Sequence, residues 1–127
     1  MSPYDFIPLL PWIVIGVCVG ISVGAIPGLT GAMVIALTLP LTFSMDEGAA
    51  LALLVSLYTG SVSGGLISAT LLKIPGTPAA VITTLDGYPM ANRGEPGKAL
   101  GLGIGASFFG GIFSGIALWL LARPVAE

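Results

Sequence analysis

Residues 48–72 read GAALALLVSLYTGSVSGGLISATLL, a run without a single charged side chain. At a rise of about 1.5 Å per residue it makes a helix of about 38 Å, longer than the roughly 30 Å hydrocarbon core of a bilayer. Such a run predicts a membrane span. Phe6 to Ile26 and Ala99 to Ala122 repeat the pattern on either side, and as helices they reach about 31 and 36 Å. The whole chain agrees with lipid as its solvent: of 127 residues 55% are hydrophobic and 8% charged, with mean hydropathy +1.04. Soluble domains carry about 25% charged residues. The first apolar stretch is not expected to be a secretory leader, because no Lys or Arg precedes Lys73 and the hydrophobic character continues past it.

Between the spans the chain breaks in a repeated way. Pro27-Gly28-Leu29-Thr30-Gly31 follows the first span and Ile74-Pro75-Gly76-Thr77-Pro78 follows the second. Proline removes a backbone donor and glycine permits unusual dihedrals, so each is expected to interrupt a helix. Gly31 to Phe43, interrupted by Pro40, is too short to cross and is expected to half-enter the membrane or continue a broken helix. Ala79 to Leu85 is shorter still. The expected fold is all-α: a polytopic integral membrane protein with about three spanning helices (6–26, 48–72, 99–122) and broken or re-entrant segments at 27–43 and 74–85.

Charge excludes several function classes. The cations are Lys73, Arg93, Lys98 and Arg123, the net charge is −2, and no basic patch exists for nucleic acid. With no His and Cys18 alone, zinc clusters, disulfide frameworks and Cys/His nucleophile pairs are excluded by count within this sequence. The span centres hold no Asp, Glu, Lys or Arg, which argues against a membrane enzyme. Lys73, Arg93 and Lys98 place the loop after the second span, Asp86 to Lys98, in the cytoplasm, with Ser44 to Glu47 on the other side. Arg123 weakens that orientation. Asp86-Gly87 reads as a turn within the loop.

Small residues and hydroxyls remain. Gly16, Gly20, Gly24 and Gly28 are spaced by four, as are Gly60 and Gly64, Gly97, Gly101 and Gly105, and Gly111 and Gly115. Such spacing lines one helix face with small residues and lets another helix approach, a general property of polytopic bundles. Thr30, Ser61, Ser63, Ser68, Thr77, Thr83 and Thr84 sit at or near the breaks and the second span. Broken helices in transporters aim free N–H groups at anionic substrate groups and unwound carbonyls at a coupling cation. The plainer alternatives are Pro-Gly pairs that end helices at loops and hydroxyls that bond back to the preceding turn.

The ordered set PGLT (27–30), YTG followed by GG (Tyr58, Gly60, Gly64, Gly65), IPGTP (74–78) and LDGYPMA (85–91) closely resembles the N-terminal half-domain of the tripartite tricarboxylate transporter permease, the TctA type. The resemblance runs from about Trp12 onward. It implies a secondary transporter of the bacterial inner membrane that takes up tricarboxylates such as citrate and related carboxylates. It also implies a small membrane subunit and a periplasmic solute-binding protein as partners, and no cofactor beyond a coupling cation, Na+ or H+. On this reading Pro27, Gly28, Thr30, Gly31, Pro75, Gly76, Thr77 and Pro78 line a substrate site, with Ser61, Ser63, Gly64 and Gly65 beside it, and Gly16, Gly20, Gly24, Gly101, Gly105, Gly111 and Gly115 pack helices. Thr30, Leu66 and Lys73 depart from the family pattern; Lys73 either snorkels to the interface or draws an anion toward the second break. The family's permease is several times longer, so the sequence is expected to be a part of one. Rival readings are a small structural protein that packs against partner helices, and a pore-forming oligomer, for which a polar stripe is missing.

Overall fold

Helix boundaries follow the proline, glycine and capping residues of the sequence. The computed structural model describes residues 3–125, and all regular structure among them is helical. A 3-10 segment (Pro3–Leu9) leads into α1 (Leu10–Gly24), and α2 spans Gly31–Thr42. Then come α3 (Glu47–Leu72), a 3-10 turn (Pro78–Ala80), α4 (Thr83–Asn92) and α5 (Pro96–Val125). Three helices are long and apolar enough to cross a membrane: Phe6–Gly24, Glu47–Leu72 and Pro96–Ala122. The side chain of Arg123 lies outside the described part.

The arrangement is set by α3. Asp46 caps its start, accepting from Gly48 N–H at 3.2 Å. Against it α1 lies backbone to backbone. A Cβ on Gly16 would stand 2.7 Å from Ser56 Cβ, one on Gly20 3.0 Å from Gly60 Cα, and one on Gly24 2.7 Å from Ser61 Cα. From the other side, a Cβ on Gly60 would meet Val17 O at 2.6 Å and one on Gly64 would meet Ala25 N at 2.8 Å, both too close for any side chain. Residue numbers rise together along this seam, so α1 and α3 run parallel. Lipid supplies no hydrophobic drive between helices, and close packing of this kind is what holds them together.

The parallel seam fixes depth. Leu9 lies beside Gly48 at the start of α3, whereas Gly24 lies beside Ser61, about 20 Å further along. The chain then bends, and α2 starts beside Tyr58 and Ser61 at Gly31. From there it runs back along α3, with Val34 packed on Leu57 and Leu53 and Met45 beside them. Thus α1 and α2 form a hairpin whose tip reaches the middle of α3.

A second hairpin enters from the other end. After Leu72 the helix stops at Lys73, which takes the left-handed conformation (φ 59°). The chain climbs back until Gly76 lies against Gly65 and Ser68, and Thr77 against Gly65. It then descends through α4, whose Gly87 packs on Thr70. The two tips touch: a Cβ on Gly76 would stand 2.5 Å from Gly24 O. Antiparallel to α3, α5 seats Gly103 on Leu66 and is exposed along most of its described length.

Two expectations are corrected. Pro40 does not interrupt its segment; α2 continues through it to Thr42. Pro40 lies within the last turn, where its missing N–H costs one bond, and Thr42 Oγ1 donates to Leu39 O at 2.7 Å beside it. Asp86-Gly87 is not a turn but lies inside α4. Asp86 occupies the first turn, where a carboxylate suits the positive end of the helix, and Gly87 is where α4 can approach Thr70. The turn falls at Arg93–Glu95, with Gly94 at φ 87°.

The seam predicts opposite outcomes for two chemically identical changes. Gly64→Ala forces a methyl onto the α1 backbone and should cost about 1–3 kcal/mol. Gly111→Ala, with nothing within 4 Å, should be neutral or stabilise by up to about 1 kcal/mol through helix propensity. Thermal unfolding in detergent measures both; equal shifts would show that the seam does not hold the fold.

Candidate functional site

At the first tip Thr30 caps α2. Its Oγ1 accepts from Met33 N–H at 3.4 Å, and its carbonyl accepts from Met33 and Val34 at 3.0 and 3.2 Å. The N–H groups of Gly31 and Ala32 have no hydrogen-bond partner among the described residues. Free N–H groups at a helix start, reinforced by the helix dipole, attract negative charge. They border a cavity of about 390 Å³ shared by both tips: Thr30, Gly31 and Ala32 from the first, Thr77, Pro78 and Ala79 from the second, and Tyr58 and Val62 from α3.

Thr77 stands between this cavity and another of about 390 Å³, bounded by Thr59, Ser63 and Leu66 of α3, by Ala80 and Thr83, and by Ile104, Ser107 and Phe108 of α5. Although Thr77 borders both, it is 6% exposed and its Oγ1 has no hydrogen-bond partner. No charged side chain lines either cavity. The chemistry on offer is therefore hydrogen-bond donation from hydroxyls and amides within apolar walls, which suits binding and release.

The structure brings together Thr30, Gly31, Thr77 and Pro78 around the first cavity and puts Ser63 on the second. Ser61 is fully buried behind Gly31. Gly65 lies under Thr77, and Gly76 between Gly65 and Gly24. Pro27 and Gly28 do not line the cavities: they are exposed at the bend, where Gly28 takes φ 93° with nothing near it. Pro75 is half-buried below the tip, and Gly64 faces α1. Of the packing glycines, Gly16, Gly20 and Gly24 press on α3, while Gly101, Gly105, Gly111 and Gly115 meet nothing within 4 Å among the described residues. Lys73 sets its Nζ 5.5 Å from the centre of the Tyr88 ring, a cation–π contact with α4, and lines neither cavity.

Several contributors escaped the sequence reading. Val62 and Ala79 are apolar and carry no chemical signal, and Ser107 and Phe108 come from a helix whose contact with α3 was not readable. Thr70, fully buried with an unpaired hydroxyl, looked like any hydroxyl in a span.

Comparison with known proteins agrees with this architecture. The model of the tripartite tricarboxylate transporter TctA family matches residues 10–127. An uncharacterized 52.8 kDa protein in the TAR-I ttuC' 3' region of Agrobacterium vitis is 36% identical over 116 residues, which cover 91% of this chain and 23% of that protein. The chain thus spans just under a quarter of that relative's length. No solved structure matches it. Three membrane-length helices, two broken helices that meet tip to tip, and a family match over nearly the whole sequence make this multi-pass membrane chain a member of the tripartite tricarboxylate transporter TctA family.

Proposed function

We propose that this chain forms part of the permease of a secondary active transporter that carries tricarboxylates or related carboxylates across the bacterial inner membrane, driven by an ion gradient. A small membrane subunit and a periplasmic solute-binding protein complete the system. The observation that carries the reading is the meeting of two helix breaks, Thr30-Gly31 and Thr77-Pro78, on one cavity beside the middle of a membrane-length helix. Carboxylate oxygens are acceptors, and the donors at this place are the N–H groups of Gly31 and Ala32 and the hydroxyls of Thr30 and Thr77. Opposite entry of the two hairpins supports alternating access, since withdrawal of either tip opens the cavity toward one side.

Orientation follows from charge. Lys73, Arg93 and Lys98 lie at the same end of α3, around the start of α5, and that end is assigned to the cytoplasm. Lys98 and Glu95 pair there at 3.4 Å, an exposed contact of little energetic weight. The turn at Phe43–Asp46 then faces the periplasm.

Single-cysteine labelling tests both statements in cell membranes holding the permease. With Cys18 replaced by Ser, Thr30→Cys should react with a small impermeant thiol reagent, and citrate or another tricarboxylate should slow the reaction severalfold. Labelling that no carboxylate changes would reduce the first break to a helix end. Gly94→Cys should react only when the cytoplasmic face is open to the reagent; reaction from the periplasm alone would invert the topology.

A further inference from the structure

Between α4 and α5, apart from the two cavities around Thr77, lies a groove of about 240 Å³. Ile82, Asp86 and Met90 line it from the α4 side, and Ala99, Leu102 and Gly103 from the α5 side. Ile82, Asp86 and Met90 are spaced by four, so they share one helix face. Asp86 is the one charged residue on the groove.

No cation of the described residues meets that carboxylate. Lys98 pairs with Glu95 at 3.4 Å, and Lys73 sets its Nζ 5.5 Å from the centre of the Tyr88 ring. Arg93 lies exposed at the turn after α4 and enters no ion pair, and Arg123 belongs to the opposite end of α5. Asp86 therefore has the partial charge of the α4 start and nothing more from its own chain. A full positive charge from outside has a place to bind.

The depth of the groove names the source of that charge. With 26 residues, α3 is about 39 Å long, and a hydrocarbon core of about 30 Å leaves about 4–5 Å of it in the headgroup layer at each end. Gly87, next to Asp86, packs on Thr70, about 3 Å from the end of α3. Gly103 sits on Leu66, about 9 Å from that end. The carboxylate thus stands among lipid headgroups while the Gly103 end of the groove stands among acyl chains. From there Leu102, Phe109 and Phe113, which share a face of α5 by their spacing, continue an exposed apolar track.

The headgroup that fits is a primary ammonium, which brings both the charge and N–H donors to a carboxylate. A quaternary ammonium brings charge without donors, and an anionic headgroup is repelled. We propose that this groove binds phosphatidylethanolamine, with Asp86 accepting from its ammonium group and Leu102 and Phe109 bedding an acyl chain. The lipid's phosphate stays in the layer that holds Arg93 and Lys98. The site stands whether or not the cavities around Thr77 take a carboxylate.

The test uses the purified chain in detergent, stripped of lipid and titrated with phosphatidylethanolamine or phosphatidylcholine of the same acyl chains. Native mass spectrometry counts the bound lipid. Wild type should bind phosphatidylethanolamine about tenfold more tightly, and mono- and dimethylation of the amine should lower that affinity in steps. Asp86→Asn should abolish the preference by weakening phosphatidylethanolamine alone, and Asp86→Glu should keep it. Glu95→Gln, which removes a carboxylate from the same end of the bundle but outside the groove, should bind both lipids as wild type does. Equal wild-type affinity for the two lipids, or an undiminished preference in Asp86→Asn, would overturn the site and leave the groove to a cationic side chain of another protein. Should Asp86→Asn not fold, the methylation series in wild type decides. Tricarboxylate is absent throughout, so failure here leaves the labelling result at Thr30 untouched.

Discussion

The contact of α1 with α3 is made by main chain on main chain, and the rest of the structure depends on it. Where side chains fill a helix interface, the two axes stand about 8–10 Å apart and can adjust by repacking. Here Gly16, Gly20 and Gly24 meet the α3 backbone on one side, and Gly60 and Gly64 meet the α1 backbone on the other. A bulkier residue at any of the five has nowhere to go. That rigidity sets how deep the first hairpin reaches, since Gly24 is pinned beside Ser61. The depth in turn decides that Thr30 and Gly31 arrive at the level of Thr77, and that two segments separated by all of α3 share one cavity.

Electrostatically the first bend is unusual, because six residues separate the end of one helix from the start of the next. The carbonyl end of α1 and the amide end of α2 are therefore neighbours, one attracting positive charge and the other negative. No ionised side chain lines the two cavities around Thr77. A permanent charge there would have to be desolvated at all times, whereas backbone dipoles and hydroxyls impose a smaller penalty when nothing is bound. Lys73, close to the second break in sequence, is drawn off by the face of Tyr88.

How much of this was legible in the sequence depended on which interactions carry it. Spans announce themselves by the absence of charge over a fixed length, and breaks by proline and glycine, so both read directly. Four-residue glycine spacing identified the α1 face, but the same spacing on α5 faces no described neighbour, because a period records which residues share a face and not what stands opposite. Direction and depth were invisible, as no local pattern distinguishes a parallel neighbour from an antiparallel one. Pro40 and Asp86-Gly87 misled because strong local signals were overridden, one by lying within the last turn of its helix and one by the tight approach of α4 to Thr70. The roles of Thr30 and Thr77 were suggested by motif, yet the pairing of their segments is tertiary.

Two adjacent glycines of α3 look in different directions. Gly64 carries the first hairpin through Ile21 and Ala25, and Gly65 carries the second through Thr77. Consecutive helical residues are turned from one another by about 100°, so the two hairpins ride on neighbouring faces of one shaft at the same height. The Gly64 contact is main chain on main chain, whereas at Gly65 the Thr77 side chain lies between, so the second hairpin rests on α3 through a threonine that also borders both cavities.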